Sequence, residues 1–282
     1  MHLNPMVELL RKARAGGYAV PSFCVWGSAS IAVVRRTANR LKAPVIIMTS
    51  SFELKFFSPA EIARMAKAEE FESPAALLLD HGDSPELVHA CIDAGYTSVM
   101  LDYSLRPFNE NAGALREVAR SAHPLGITVE GELGHVGKAN SSAAEGDASS
   151  TLTDPDAAAR IVAETGIDAL AVSIGNAHGQ YFRLPRFDFE RLEMISKALP
   201  GFPLVLHGGS GTPELDLKKA ISLGISKVNV ATELVQAFKK SLLSQWNTEP
   251  VPWMPVSIAE ATEAMVPVVE KWIRLTGAAG KG

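Results

Sequence analysis

Short apolar runs, each preceded by a glycine or a proline, alternate along this chain with longer stretches of helical periodicity. Gly16-Gly17 precede residues 18–23, Pro44 precedes 45–49, Pro74 precedes 75–80 and Gly95 precedes 97–102. Gly126 then precedes 127–132, Gly166 precedes 168–173, Pro203 precedes 204–207 and Gly224 precedes 226–229. Glycine suits the left-handed residue that ends a helix, and proline cannot continue one. Apolar runs bounded in this way read as parallel strands buried on both faces. Helices are expected between them over 30–41, 59–70, 85–94, 110–123, 156–165, 189–199, 213–223 and 233–245. Eight strands separated by helices are what an α/β fold of the (β/α)8 TIM barrel type requires. An open doubly wound sheet is the alternative, but it rarely needs eight such regular units.

Two stretches break the rhythm. Residues 134–150, rich in Gly, Ala and Ser, read as a mobile loop after the fifth strand, and 174–186 form a second long excursion after the sixth. In a barrel, long loops after strands carry substrate contacts. Past Asn247, the Pro-rich 249–255 leads to a C-terminal helix over about 257–275 that Pro267 should kink. Its Ile258, Ala261, Met265, Val269 and Trp272 form an apolar stripe suited to packing on the barrel or on a second subunit. The expected division is a barrel domain over 1–246 and a linker with a C-terminal helical extension over 247–282.

Composition removes several function classes. With 47% hydrophobic and 21% charged residues, the 282-residue chain can bury a large core. A net charge of −4 gives no electrostatic case for nucleic acid. Two cysteines make no disulfide framework and suit a reducing compartment. Without a signal-peptide pattern or an apolar run long enough to cross a membrane, a cytoplasmic location is the default.

Chemistry gathers at the expected strand ends: Asp80 and His81, Asp102, Glu130 and Glu132, His207 and Asn229, with His178 in the loop after strand six. Adjacent strand residues point to opposite faces, so Asp80 and His81 reach one cavity only through a bend, which Gly82 makes cheap. Read alone, this stretch is equally a helix start, with Asp83 or Ser84 capping a helix begun by Pro85. Three histidines on one barrel face beside carboxylates suit a three-histidine zinc site with an open position for substrate. The glycine-rich 207–212 followed by Thr212-Pro213, a cap and first helical residue, and then 229–233 place two anion-binding turns after strands seven and eight. That is the usual phosphate site of this barrel.

In these motifs the chain resembles the class II, zinc-dependent ketose-bisphosphate aldolases, especially the tagatose/fructose-bisphosphate branch. The resemblance runs from about residue 18 to 242. It is carried by Leu79-Asp80-His81-Gly82, residues 94–100, Glu130-Gly131-Glu132-Leu133-Gly134, residues 171–179, His207-Gly208-Gly209-Ser210-Gly211 and residues 229–234. It implies reversible retro-aldol cleavage of a ketose 1-phosphate or 1,6-bisphosphate to dihydroxyacetone phosphate and an aldehyde. It implies zinc on His81, His178 and His207, with Glu132 and Asp102 near the metal and a monovalent cation near the phosphate. Asp80 resembles the residue that moves the C4 hydroxyl proton. Gly179, Gly208, Gly209 and Ser210, with Asn229, Val230, Ala231 and Thr232, resemble the phosphate cradle. Ala231 matches the tagatose-type branch, where fructose-type relatives often carry Asp.

Three departures touch the aldehyde half. Cys24 stands where the family usually has Asn, followed by Trp26-Gly27-Ser28 in place of an Asn-rich continuation. Lys138-Ala139-Asn140-Ser141 replaces a second Gly and an acidic pair, leaving Glu145 or Asp147 as candidate loop acids. Asp102-Tyr103-Ser104 replaces Asp-Gly-Ser. With Cys24 and Trp26 as specificity positions, tagatose or fructose 1,6-bisphosphate is expected to be a poorer substrate than some other ketose 1-phosphate. A Schiff-base aldolase would want a lysine at a strand top, and Lys227 lies early in strand eight. A non-catalytic barrel subunit of an aldolase complex is the alternative from another class. The expected partners are a sugar phosphate and further copies of the chain, as a homodimer or homotetramer.

Overall fold

The computed structural model describes residues 3–139, 151–181, 184–250 and 252–282. Its centre is a closed barrel of eight parallel strands in sequence order. They are β1 (Val20–Cys24), β2 (Val45–Ser50), β3 (Ala75–Gly82), β4 (Ser98–Leu101), β5 (Thr128–Leu133), β6 (Ala169–Val172), β7 (Leu204–Leu206) and β8 (Ile225–Val230). Around it run α1 (Met6–Gly16), α2 (Ser28–Leu41), α3 (Pro59–Ala68), α4 (Pro85–Ala94), α5 (Phe108–Ala122), α6 (Pro155–Thr165), α7 (Phe189–Ala198), α8 (Glu214–Ser222) and α9 (Thr232–Trp246). The chain ends in α10 (Met254–Glu263) and α11 (Val266–Leu275). This is the (β/α)8 barrel, with a helical C-terminal end. No helix of the described residues is long and apolar enough to cross a membrane.

The strands form as expected because almost every residue in them is buried and the apolar runs carry β-branched side chains at the barrel wall. Local capping fixes where several helices start. Ser58 and Glu61 make a reciprocal capping box at α3, and Asp154 accepts the N–H of Ala157 at α6. Ser84 accepts the N–H of Leu87 and Pro85 follows it at the first position of α4. The helix-start reading of this stretch and the site reading are therefore both realised, in consecutive residues.

Four local expectations are corrected. The bend at the end of β3 falls at His81 itself, whose φ of 45° is left-handed, rather than at Gly82. Gly82 serves a close approach instead: a Cβ there would stand 2.5 Å from the carbonyl oxygen of Met100 on β4. The C-terminal segment is two helices, not one kinked helix. Pro267 lies in the first turn of α11, where its missing N–H has no acceptor to lose. The break turns Ile258 outward (41% exposed), while Ala261, Met265, Val269 and Trp272 are buried. Finally, α8 begins at Glu214 with Pro213 before it, so Thr212 does not cap the helix.

One helix is absent from the periodic reading, although Gly17 in the left-handed conformation ends it. It is α1, which lies at the N-terminal end of the barrel. No side chain of its own caps it. Its first N–H groups are satisfied from the barrel bottom, Met6 by the Ser98 hydroxyl at 3.1 Å and Val7 by the Thr128 hydroxyl at 3.0 Å. At the other end of the chain, α11 packs on α2, α9 and β1. The Trp272 indole there donates to Glu233 at 3.0 Å, at the start of α9.

Candidate active site

The C-terminal ends of β3, β6 and β7 bring three imidazoles together. Ring centroids lie 4.8 Å apart for His81 and His178, 4.5 Å for His81 and His207, and 5.6 Å for His178 and His207. One nitrogen from each falls within 4.8 Å of the others. Each ring is oriented by a bond on its far nitrogen. His81 Nδ1 donates to Asp102 Oδ2 at 2.8 Å, His178 Nδ1 to the Val136 carbonyl at 3.1 Å, and His207 Nε2 to Glu130 Oε1 at 3.0 Å. With the far nitrogens so engaged, His81 Nε2, His178 Nε2 and His207 Nδ1 are the atoms that give a lone pair when the rings are neutral. The first two face each other at 3.1 Å. His207 Nδ1 stands 3.1 Å from Glu132 Oε2, and both atoms are buried and unaligned for any hydrogen bond. Three such nitrogens converging beside carboxylates are the donor set of a cation, which takes the place of any proton held there. The residues present therefore fit a divalent metal, each imidazole backed by an oxygen acceptor.

Asp102 sits behind His81: its other oxygen accepts the Ser104 N–H at 3.1 Å and hydroxyl at 2.7 Å. Ser104 in turn meets His135 Nδ1 at 2.8 Å, so His135, off the strand-end pattern in sequence, joins the support of this ring. Glu132 faces the cluster, and its Oε1 accepts the Val136 N–H at 3.0 Å.

Asp80 lies beside the imidazoles, buried, with Oδ1 accepting from the Asn229 amide at 2.9 Å. Burial alone would raise its pKa; the positive charge of His81, Lys227 and His207 and the Asn229 bond outweigh it and hold the carboxyl at about 2. His178 is lowered to about 3 by burial, then by His81 and His207, which keeps it neutral. Burial also works against a charged His207, but Glu130 and Glu132 beside it prevail and push it up to about 10. The pocket at His207 thus calls for a positive charge between its carboxylates.

Beneath the histidines lies an arrangement that the sequence did not advertise. Lys227 on β8 is wholly buried, its Nζ donating to Glu130 Oε1 at 3.0 Å and Oε2 at 2.8 Å on β5. A lysine engaged by both oxygens of a carboxylate is not the free amine a Schiff base needs.

The phosphate-type turns are laced to the metal-type residues. Gly208 (φ 66°) lies so close to the loop after β6 that a Cβ would stand 2.0 Å from the Ala177 carbonyl oxygen. Asn176 donates to the His207 carbonyl at 3.0 Å, and the Tyr181 hydroxyl donates to the Gly208 carbonyl at 3.1 Å while accepting the Ala177 N–H at 2.8 Å. Gly209 N–H donates to the Asn229 carbonyl at 3.0 Å, the Gly211 N–H to Glu233 at 2.9 Å, and the Ser210 hydroxyl accepts the Glu233 N–H at 3.2 Å. Ala231 precedes α9 without a capping side chain, so Thr232 opens a helix whose first N–H groups face this turn. Gly179 (φ 101°) lies in the loop after β6, and Val230, the last residue of β8, is buried. Cys24 ends β1 next to Asp80, whereas the Trp26 ring is engaged edge-on by Phe238 of α9, 5.8 Å away. Glu145 and Asp147 lie outside the described residues.

This arrangement has known counterparts. The family model for fructose-bisphosphate aldolase class-II matches residues 4–281. The chain belongs to the class II fructose-bisphosphate aldolase family. Among solved structures, the YdjI aldolase from Escherichia coli K12 is 34% identical over 99% of both chains, with a TM-score of 0.87. A putative fructose-1,6-biphosphate aldolase from Coccidioides immitis is 28% identical over 99% of this chain and 98% of its own, with a TM-score of 0.86. The fructose-bisphosphate aldolase of Campylobacter jejuni, 24% identical over 98% of this chain and 95% of its own with a TM-score of 0.79, shares the fold. The chain is a class II aldolase, a carbon–carbon lyase of a generally metal-dependent family.

Proposed function

We propose that this aldolase is zinc-dependent and cleaves a ketose 1-phosphate or 1,6-bisphosphate, reversibly, to dihydroxyacetone phosphate and an aldehyde. The observation that carries this reading is the convergence of His81 Nε2, His178 Nε2 and His207 Nδ1 beside the ionised Asp80. Those three nitrogens would hold the ion, with Glu132 close enough to approach it. Once bound, zinc supplies a Lewis acid that polarises the substrate carbonyl.

The chain's own residues account for the rest. The Ser210 turn and the start of α9 offer N–H groups and a helix N-terminus to the phosphate, which fixes the three-carbon half. Asp80 accepts the C4 hydroxyl proton as the C3–C4 bond breaks, and Asn229 aims its carboxylate. The Asn229 Oδ1, buried without a partner, is left to receive a substrate hydroxyl. A monovalent cation near the phosphate and assembly as a homodimer or homotetramer belong to the same proposal; solution mass tests the assembly. The decisive experiment measures zinc per chain and cleavage of a panel of ketose phosphates before and after chelation. Stoichiometric zinc and chelator-sensitive cleavage are expected; full activity of metal-free protein overturns the proposal.

A further inference from the structure

Glu53 is a carboxylate to which the mechanism gives no task. It stands on a short 3-10 turn (Glu53–Lys55) just after β2, half-buried. A glutamate on an exposed turn normally swings in water, but this one is pinned twice. Its Oε2 accepts the Ser50 N–H at 2.7 Å and the Ser50 hydroxyl at 2.6 Å. Ser50 is the last residue of β2 and the register partner of Asp80 on β3. Neighbouring strands lie about 4.8 Å apart, so Glu53 hangs from the position next to the proton acceptor. On its other side is Cys24, at the end of β1. There burial, then the charges of Glu53 and Asp80 and a bond to Glu53, push the thiol well up. Cys24 therefore stands between two carboxylates as a neutral thiol.

The place matters because of how a substrate must run. The phosphate end is held over β7 and β8, the carbonyl lies among imidazoles from β3, β6 and β7, and the C4 hydroxyl meets Asp80 on β3. In the proposed cleavage, carbons beyond C4 would run toward the ends of β2 and β1, where Cys24, Ser50 and Glu53 stand. The base nearest to Glu53 in sequence, Lys55, lies over an aromatic ring, 5.8 Å from the Phe52 centroid. A carboxylate fixed in this position accepts hydrogen bonds from hydroxyls and repels anions.

We infer that Glu53 is a specificity residue for the aldehyde half, selecting ketose 1-phosphates with an uncharged polyhydroxy tail over those with a terminal phosphate. This rests on the proposed cleavage to dihydroxyacetone phosphate, and it names the residue and the substrate class on the other side of the breaking bond.

The test runs the reaction toward condensation, with dihydroxyacetone phosphate saturating, and compares kcat/KM for glyceraldehyde and glyceraldehyde 3-phosphate. Wild type should prefer the neutral aldehyde. In Glu53→Gln the amide oxygen can still accept from Ser50 while the charge is gone. The preference should then fall about tenfold or more, chiefly through a lower KM for the phosphorylated aldehyde. Raising ionic strength should shrink the preference in wild type, since salt screens repulsion at a half-exposed carboxylate, and leave Glu53→Gln nearly unmoved. An unchanged ratio in a folded Glu53→Gln protein overturns the inference, as does a wild type that prefers the phosphorylated aldehyde. If the variant does not fold, a salt-independent ratio in wild type overturns it. Exchange of the C3 proton of dihydroxyacetone phosphate by wild type alone separates the two readings. Without exchange both fall; with exchange intact and the ratio unmoved, only the role of Glu53 falls.

Discussion

Asp80 and His81 are neighbours with different tasks, and one backbone angle separates them. The left-handed turn at His81 sends its ring toward His178, while the Asp80 carboxylate stays on Asn229. Asp80→Asn keeps size and polarity, so zinc and phosphate binding should survive, and kcat should fall by about 10²–10⁴-fold as the proton acceptor is lost. Exchange of the C3 proton, which needs a different base, should fall less. Metal content, cleavage and exchange measured in one preparation check this; loss of zinc with activity would make Asp80 a ligand. His207→Ala should instead strip the metal and abolish cleavage while circular dichroism still reports a folded barrel. These residues were legible because charged types end apolar runs. Glu53 was not, since nothing in sequence marks a glutamate pinned to a strand end. Nor was the bend at His81, because a glycine beside it offered the easier place.

At the scale of elements, strand order was legible from punctuation, but what happens inside the barrel was not. Lys227 and Glu130 lie 97 residues apart, and no local pattern pairs β8 with β5. The pair is fully buried, so removing one partner leaves an uncompensated charge. Lys227→Met should destabilise the barrel by about 3–5 kcal/mol, whereas Lys227→Met with Glu130→Gln should recover part of that loss. Urea denaturation of both variants checks it, and an equal loss in each would show that the charge of Glu130 is not what is being left exposed. Gly82→Ala is a separate case: its Cβ would press on β4 at Met100, and about 1–3 kcal/mol should be lost from overpacking. The helix α1 escaped a pattern reading for a related reason. Its caps are hydroxyls of Ser98 and Thr128, supplied by strands far along the chain.

Across the whole molecule, the site is where the barrel is least content with itself. Asp80, Glu130, Glu132, His207 and Lys227 crowd the interior of its C-terminal end, and His207 Nδ1 and Glu132 Oε2 are buried there 3.1 Å apart with no aligned hydrogen bond. A buried polar atom left unpaired costs about 1–3 kcal/mol. A cation that takes those lone pairs and offsets those carboxylates binds the folded barrel and not the unfolded chain, in which the three histidines are scattered over more than a hundred residues. Binding of that kind stabilises by RT ln(1 + [L]/Kd), about 4 kcal/mol at a thousandfold excess over Kd. In a chain of this size that corresponds to a rise in Tm of several degrees. Calorimetry of chelated protein with and without added zinc should show that rise in wild type and a much smaller one in His207→Ala. The comparison needs no turnover, so it tests the metal site apart from the aldolase chemistry. An equal rise in both proteins would place the stabilising ion somewhere other than the three imidazoles.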